Sequence, residues 1–113
     1  MIENAKITNV NLSMADHGVL TLELTLEGSG WSCVFGGRVI GKGYLDAKEF
    51  IGYAKGIEEI MQIMNVVGVE RFNDMKGKYV RVETGEWGHS INKIGHIIKD
   101  KWFDYNEFYK DNS

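Results

Sequence analysis

Residues 19–28, VLTLELTLEG, decide the fold, because leucine and a polar residue alternate through them without interruption. A repeat of two residues is typical of a β-strand that buries one face. Residues 10–14, VNLSM, alternate in the same way, and residues 15–18 between the two segments, ADHG, tolerate turn geometry. The two segments predict an antiparallel hairpin. Ile7 falls out of phase with Val10, which indicates either a bulge near residues 8 and 9 or a change of face.

A third strand is predicted after this hairpin. Trp31, Cys33 and Phe35 share one face of it, and Arg38 lies on the other face. Six of the fourteen glycines of the chain lie in residues 28–43. Glycine at this density allows either a sharp bend of the strand or a close approach of another molecule to the backbone, and the sequence leaves both readings open.

The main helix is predicted from a capping pattern and an apolar stripe. Residues 46–49, DAKE, fit a capping box, so the helix should begin near Ala47, and Gly68 is placed to end it. The Glu58-Glu59 pair falls on the polar side and is expected to be solvated. Six apolar residues at intervals of three and four predict the face that packs on the sheet: Tyr53, Ile57, Ile60, Met61, Met64 and Val67.

The second half of the chain adds a hairpin and a short helix. Residues 79–83 and 91–98 alternate as strands, and the aromatic spacing after Lys101 predicts a C-terminal helix. The fold class is therefore α+β, with residues 1–113 as one domain. We expect an antiparallel sheet of about five strands, built from a three-strand meander and a hairpin, with the main helix packed on one face. The predicted core contains Leu20, Leu22, Leu24, Leu26, Ile60, Met61 and Met64.

Composition and charge exclude several classes of protein. Thirteen Lys and Arg against sixteen Asp and Glu give a formal charge of −3, so the general attraction of a basic protein to nucleic acid or anionic lipid is missing. The only cysteine, Cys33, forms no internal disulfide, which fits a reducing compartment. Residues 1–12 lack the pattern of a signal peptide, and no window of the sequence approaches the apolar length of a membrane span. We expect an intracellular protein without membrane association.

No set of residues is typical of catalysis, a metal site or a cofactor site. Cys33 is predicted to point inward and so does not pair with a histidine as a nucleophile. The three histidines, at positions 17, 89 and 96, lack the spacing of metal ligands, and His96 between isoleucines is typical of a core-edge residue. Residues 36–43, GGRVIGKG, lack the spacing of a phosphate loop. We predict no catalytic residue, no metal and no cofactor.

One candidate binding surface combines basic and aromatic side chains. Arg38, Tyr79 and Arg81, with Lys42 at the exit of the third strand, would share the exposed face of the sheet if both arginines point away from the helix. Such a face suits a nucleic acid or a nucleotide. The glutamates on the same strands favour the other reading, an ordinary solvent face of mixed charge.

The C-terminal segment is a second candidate surface. Five of the thirteen aromatic residues lie in residues 101–110. Trp102, Tyr105, Phe108 and Tyr109 are spaced to form one helical face, which either closes the core or contacts a partner. A free sheet edge and this segment are two surfaces suited to self-association, and we predict a homodimer built on one of them.

Three segments together resemble a group of small proteins encoded by phages and prophages of Gram-positive bacteria. They are WSCVFGGRVIG at 31–41, IMQIMNVVGVERFNDMKGKYVRVE at 60–83 and IGHIIKDKWFD at 94–104. The resemblance implies a viral accessory protein of the host cytoplasm that acts without catalysis by binding a host macromolecule, such as a host enzyme or part of a defence system. A nucleic-acid or nucleotide binder and a minor structural component of the virion are the alternative functions.

Overall fold

The computed structural model of the chain describes residues 1–43, 49–84 and 91–110. These residues form one antiparallel sheet of seven strands in the order β4-β3-β2-β1-β5-β6-β7. We call the side of the sheet that carries the main helix the helix face and the opposite side the outer face. The elements are β1 (Ile2–Asp16), β2 (Val19–Gly28), β3 (Trp31–Lys42), β4 (Ile51–Gly52), α1 (Ala54–Val67), a 3₁₀ helix (Phe72–Met75), β5 (Tyr79–Glu83), β6 (Lys93–Gly95), β7 (Trp102–Asp104) and α2 (Tyr105–Tyr109).

The hairpin of β1 and β2 forms as the alternating leucines predict. His17 and Gly18 both have positive φ, 55° and 77°, the backbone conformation that tight hairpin turns favour. The register shifts between Ile7 and Asn9, which confirms the bulge. The leucines at positions 22, 24 and 26 are buried on the helix face, and Leu20 is half-buried.

A glycine bulge changes the phase of β3. Gly36 and Gly37 have φ values of 99° and 101°, and the pairing of β3 with β2 loses its register at this point. The glycines therefore bend the strand, which is one of the two readings that the sequence left open. Beyond the bulge Arg38 and Ile40 lie on the helix face, the same face as Phe35 before it. The prediction that Arg38 lies opposite Phe35 is wrong, because a bulge shifts the alternation of side chains.

Helix α1 begins later than predicted and ends where predicted. Tyr53 is extended at the N-cap position, and Ile51–Gly52 just before it pairs with β3 as a short strand. Positions 46–48 of the expected capping box lie outside the described residues. At the other end Gly68 adopts a φ of 91° and its N–H donates to the Met64 carbonyl at 2.9 Å, the C-terminal cap expected of glycine.

The face that α1 turns to the sheet differs from the predicted one. The buried residues of the helix are Gly56, Glu59, Ile63, Val66 and Val67. Of the predicted stripe only Val67 is fully buried, whereas Ile60 and Met64 are half-buried and Met61 is exposed. The placement of Met61 in the core was therefore wrong, and so was the placement of Glu59 on the solvated side.

The C-terminal third forms two strands and a short helix. The strand predicted over residues 91–98 is limited to Lys93–Gly95, and Trp102–Asp104 returns beside it as β7. Helix α2 has only five residues and begins at Tyr105. Trp102 therefore lies in β7 and not on the predicted helical face. The fold class α+β is confirmed, with seven strands instead of about five, because β4 and β7 are too short to produce a visible alternation.

An aromatic cluster fills the core between the sheet and the helices. The Phe35 ring meets the Tyr105 ring at a centroid distance of 5.4 Å and the Phe103 ring at 6.3 Å, both edge-on. Tyr109 is buried beside Tyr105. Among the described residues no helix has the length and apolar character needed to cross a membrane.

Candidate protein-binding surface

An apolar stripe runs along α1 on a side that the rest of the fold covers only in part. Ile57 is 58% exposed and Met61 is 65% exposed, although large apolar side chains are usually buried. Phe50, four residues before the helix, is 68% exposed. We call the stripe the α1 flank. It consists of the exposed Tyr53, Ile57 and Met61, and of Ile60 and Met64, which are half-buried and also pack against the core.

The contact between Gly56 and Ile40 sets the rotation of α1. Gly56 is buried in the first turn of the helix, and a methyl group in its place would overlap the Ile40 side chain. The helix backbone therefore rests directly on β3 at this position. Successive residues of a helix are rotated by about 100°, so Ile57 points to the side of the helix and Met61, one turn later, points with it.

The α1 flank has the composition of a protein contact. Its residues recur at intervals of three and four, the spacing with which one helix face anchors in an apolar groove. Glu58 and Gln62 are exposed beside it and give it a polar border. Methionine is unbranched and polarizable, so Met61 and Met64 suit a surface that adapts to a partner.

A buried polar group lies under the opposite side of α1. The Glu59 side chain is fully buried, and its Oε1 accepts a hydrogen bond from the Tyr109 hydroxyl. Among the described residues Oε2 has no hydrogen-bond partner. The Arg38 N–H donates to the Tyr105 hydroxyl at 2.9 Å, and the Arg38 guanidinium lies 4.2 Å from the centre of the Tyr109 ring. This group joins α1, β3 and α2.

The ionisation of this buried group is shifted by its surroundings. Burial raises the pKa of the Glu59 carboxyl, while the Tyr109 and Tyr105 hydroxyls and the positive charge of Arg38 act in the opposite direction. Burial, together with the nearby carboxyl, raises the pKa of Tyr105 to about 12. The pKa of Tyr109 is raised as well, for the same reasons. Both phenols are therefore protonated, and the group acts as a link between elements.

Arg81 is engaged by the protein's own backbone on the outer face. Its Nε and Nη2 atoms donate to the carbonyl oxygens of His96 and Lys99, each at 2.7 Å. Its guanidinium also stacks on the Trp102 ring at 4.8 Å, and the Lys93 amine lies 5.2 Å from the same ring. Arg81 and Trp102 therefore hold the turn between β6 and β7.

The structure does not bring the predicted basic and aromatic residues together. Tyr79 is exposed on the outer face with Lys6 beside its ring, and Arg81 lies on the same face. Arg38 lies on the helix face against Tyr109. Lys42 is exposed at the end of β3. The expected shared surface of Arg38, Tyr79 and Arg81 is absent, because the glycine bulge moved Arg38 to the other side of the sheet.

The C-terminal aromatics are part of the fold. Tyr105 and Tyr109 are buried, and Phe108 is half-buried under the Lys55 amine, which lies 4.2 Å from its ring centre. Lys55 also donates to the Phe108 carbonyl at 3.0 Å, which fastens α2 to α1. Of the two readings for this segment, the structure favours closure of the core over contact with a partner.

Cys33 and His96, two of the residues considered for catalysis and metal binding, are both partly buried. Cys33 is half-buried, and burial raises the pKa of its thiol. His96 Nδ1 accepts from the backbone amides of Ile98 and Lys99 at 3.0 and 2.9 Å, so this histidine is held by the backbone, as its sequence neighbours predict. No group of three His, Cys, Asp or Glu side chains within the described ranges is arranged to hold a metal ion. His89 lies outside those ranges.

Comparisons of the chain with family models, with curated proteins and with solved structures found no match. The surfaces described above are therefore the basis for a proposed function. The sequence predicts that the α1 flank packs on the sheet, with Ile60, Met61 and Met64 in the core, whereas the structure leaves Met61 exposed. The signal for its true position is Gly56, a small residue in the first turn that allows a backbone contact on the adjacent side of the helix.

Proposed function

We propose that this chain is a non-catalytic binding protein that contacts a host protein through the α1 flank. The exposure of Ile57 and Met61 on one side of a well-packed helix carries the proposal. Leaving large apolar side chains in water forgoes the free energy of burying them, and contiguous exposed apolar patches mark interaction sites. A partner that covers the stripe recovers that free energy.

The chemistry of the α1 flank specifies the partner surface. It should be an apolar groove or shallow pocket that accepts a helix side, because Ile57 and Met61 are one turn apart and project together. It should have a polar rim that meets Glu58 and Gln62. The resemblance of the sequence to phage-encoded proteins supports a host protein as the owner of this groove, and a host enzyme or defence component fits that context.

The alternative of a nucleic-acid or nucleotide binder has less support. Its predicted surface needed Arg38 beside Tyr79 and Arg81, and these side chains lie on two faces. Arg81 already donates to two carbonyl oxygens of the chain, and Lys93 pairs with Glu83 at 3.3 Å. The outer face is therefore of mixed charge, and its electrostatic attraction for phosphate groups is weak.

Photo-crosslinking in host cells tests the proposal. A photoreactive amino acid is placed at position 57, at position 61 or, as a control, at the exposed outer-face position Asn11. We expect one host protein to be cross-linked from positions 57 and 61 and not from position 11. The protein identified in this way is then purified and titrated with the full chain.

Two double variants make the titration decisive. Ile57→Lys with Met61→Lys should weaken binding by at least about tenfold, since charges replace the apolar anchors. Glu58→Lys with Gln62→Lys changes exposed positions at the same spacing on the same helix and should leave the affinity within about threefold. Equal affinity for both double variants, or equal cross-linking from position 11, would refute the proposal. Detection of the chain in purified virions would favour the structural alternative.

A further inference from the structure

Within the described residues, five positions of β3 have no strand beside them on the edge that faces away from β2. On one side β3 pairs with β2, and on the other side β4 pairs only with Gly41 and Lys42. In the described part of the chain no other strand pairs with β3. Among the residues that the structure describes, the backbone donors and acceptors of residues 31–35 on this side therefore have no strand partner.

The far end of this edge is closed by the fold itself. Gly36 and Gly37 bulge the strand out of line. Beyond them the Arg38 N–H donates to the Tyr105 hydroxyl at 2.9 Å, and the Ile40 carbonyl accepts from the Tyr53 N–H at 3.1 Å. The open part of the edge is limited to residues 31–35, which we call the β3 edge.

The β3 edge lacks most of the devices that keep sheet edges apart. Its sequence, WSCVF, contains no charge and no proline, and aromatic and β-branched residues make it a good strand former. Val34 is 53% exposed on the outer face, so the edge carries an apolar side chain in water. Uncharged open edges of this kind are templates for another strand.

We propose that a second copy of this chain covers the β3 edge, with the two β3 strands antiparallel about a two-fold axis at Cys33. A five-residue segment that pairs with itself over its full length must be centred on its third residue. Trp31 then lies opposite Phe35 of the other copy, and Ser32 lies opposite Val34. The two sheets join into one continuous sheet.

The features of the edge fit a second copy better than a different chain. Two identical segments without charge do not repel one another, and the pairing closes after two copies because the axis is two-fold. The bulge at Gly36 and Gly37 stops the pairing at the same place in both copies, which limits growth into longer assemblies. A homodimer through the sheet edge is the resulting assembly, and the C-terminal aromatics are not needed for it.

Matched charge variants at two exposed positions test the register. Ser32→Lys with Val34→Lys places lysine opposite lysine twice across the axis, whereas Ser32→Lys with Val34→Glu places lysine opposite glutamate twice. Within one copy position 32 pairs with Glu27 of β2, so the lysine there is tolerated in both variants. Sedimentation equilibrium of the full chain gives the dimer dissociation constant of each protein.

We expect the wild-type chain to be a dimer. The Lys–Lys variant should dissociate at least about tenfold more readily, and the Lys–Glu variant should dimerise at least as tightly as the wild type. Circular dichroism confirms that each variant is folded. A monomeric wild-type chain, or equal dissociation constants for the two folded variants, would overturn the proposal.

Cysteine cross-linking gives an independent measurement of the same register. In a Cys33→Ser background, Ser32→Cys and Val34→Cys are made as separate proteins. Because position 32 of one copy faces position 34 of the other, a mixture of the two proteins should form disulfide dimers faster than either protein alone. Equal rates in the mixture and in the separate proteins would exclude this arrangement. The Ile57→Lys with Met61→Lys variant should remain dimeric, because neither residue lies in the β3 edge. The dimer and the proposed host-protein binding can therefore be refuted independently of each other.

Discussion

Glu59 couples proton binding to folding. Its pKa in the folded protein is raised by burial, so the folded chain holds the proton more tightly than the unfolded chain does. The resulting stabilisation is fully present below the ordinary carboxyl pKa and is lost as the pH rises through the raised pKa of the folded protein. Ionisation of Glu59 at higher pH places a charge where Oε2 has no partner within the described residues.

Glu59→Gln should therefore change the pH dependence of stability. Glutamine has the same size and does not ionise, so we expect the variant to gain stability relative to the wild type as the pH increases. The gain has a slope of at most about 1.4 kcal/mol per pH unit. Urea unfolding across roughly pH 4 to 8 measures it, with the exposed neighbour Glu58→Gln as control. A difference between wild type and Glu59→Gln that is constant over this range would contradict the expectation.

Gly56→Ala should destabilise the protein although alanine favours helices. The added methyl group would overlap Ile40, and separating α1 from β3 costs about 1–3 kcal/mol. This exceeds the roughly 1 kcal/mol that alanine gains over glycine within a helix. Gly52→Ala is the control, because no atom lies within 4 Å of its added methyl group. Denaturant unfolding that shows Gly56→Ala to be at least as stable as the wild type would disprove the contact that sets the helix rotation.

Among the elements, the hairpin was predictable and the rotation of α1 was not. The leucines of β2 alternate strictly with polar residues, so only one face can be buried and the strand follows from the pattern. In α1 apolar residues occur on several sides, with Ile57 and Met61 on one and Ile63 and Val66 on another. Periodicity alone does not choose between these sides. The choice depends on Gly56 and Ile40, which are brought together by the tertiary fold.

Truncations in β1 and β2 measure how the hairpin contributes to stability. Leu24→Ala removes a fully buried side chain and should cost about 2–5 kcal/mol. Leu12 lies on the same face but is 47% exposed, so Leu12→Ala should cost less than about 1 kcal/mol. Urea unfolding measures both losses. Equal losses at the two positions would contradict the assignment of Leu24 to the core and of Leu12 to the surface.

At the scale of the molecule, the C-terminal segment completes the core. Phe103 and Tyr109 are buried there, and both contact other aromatic rings. A chain that ends at Lys101 lacks them and should lose cooperative thermal unfolding, because deletion of even one such ring costs about 3–5 kcal/mol. The full chain with Phe50→Ala, which alters an exposed ring, should unfold cooperatively with little change. If the shortened chain unfolds cooperatively at the wild-type temperature, these aromatics are not needed for the core.

The two neighbours of β1 are made at different times on the ribosome. β2 follows it directly, whereas residues 2–6 pair with β5, and the adjoining bond from Met1 to Thr84 joins positions 83 apart. Bacterial and eukaryotic ribosomes add about 5–20 residues per second, so β1 waits roughly 4 to 16 seconds for β5 to be synthesised. During that interval the nascent chain displays the uncovered side of β1, and a chaperone or a neighbouring nascent chain has time to bind it.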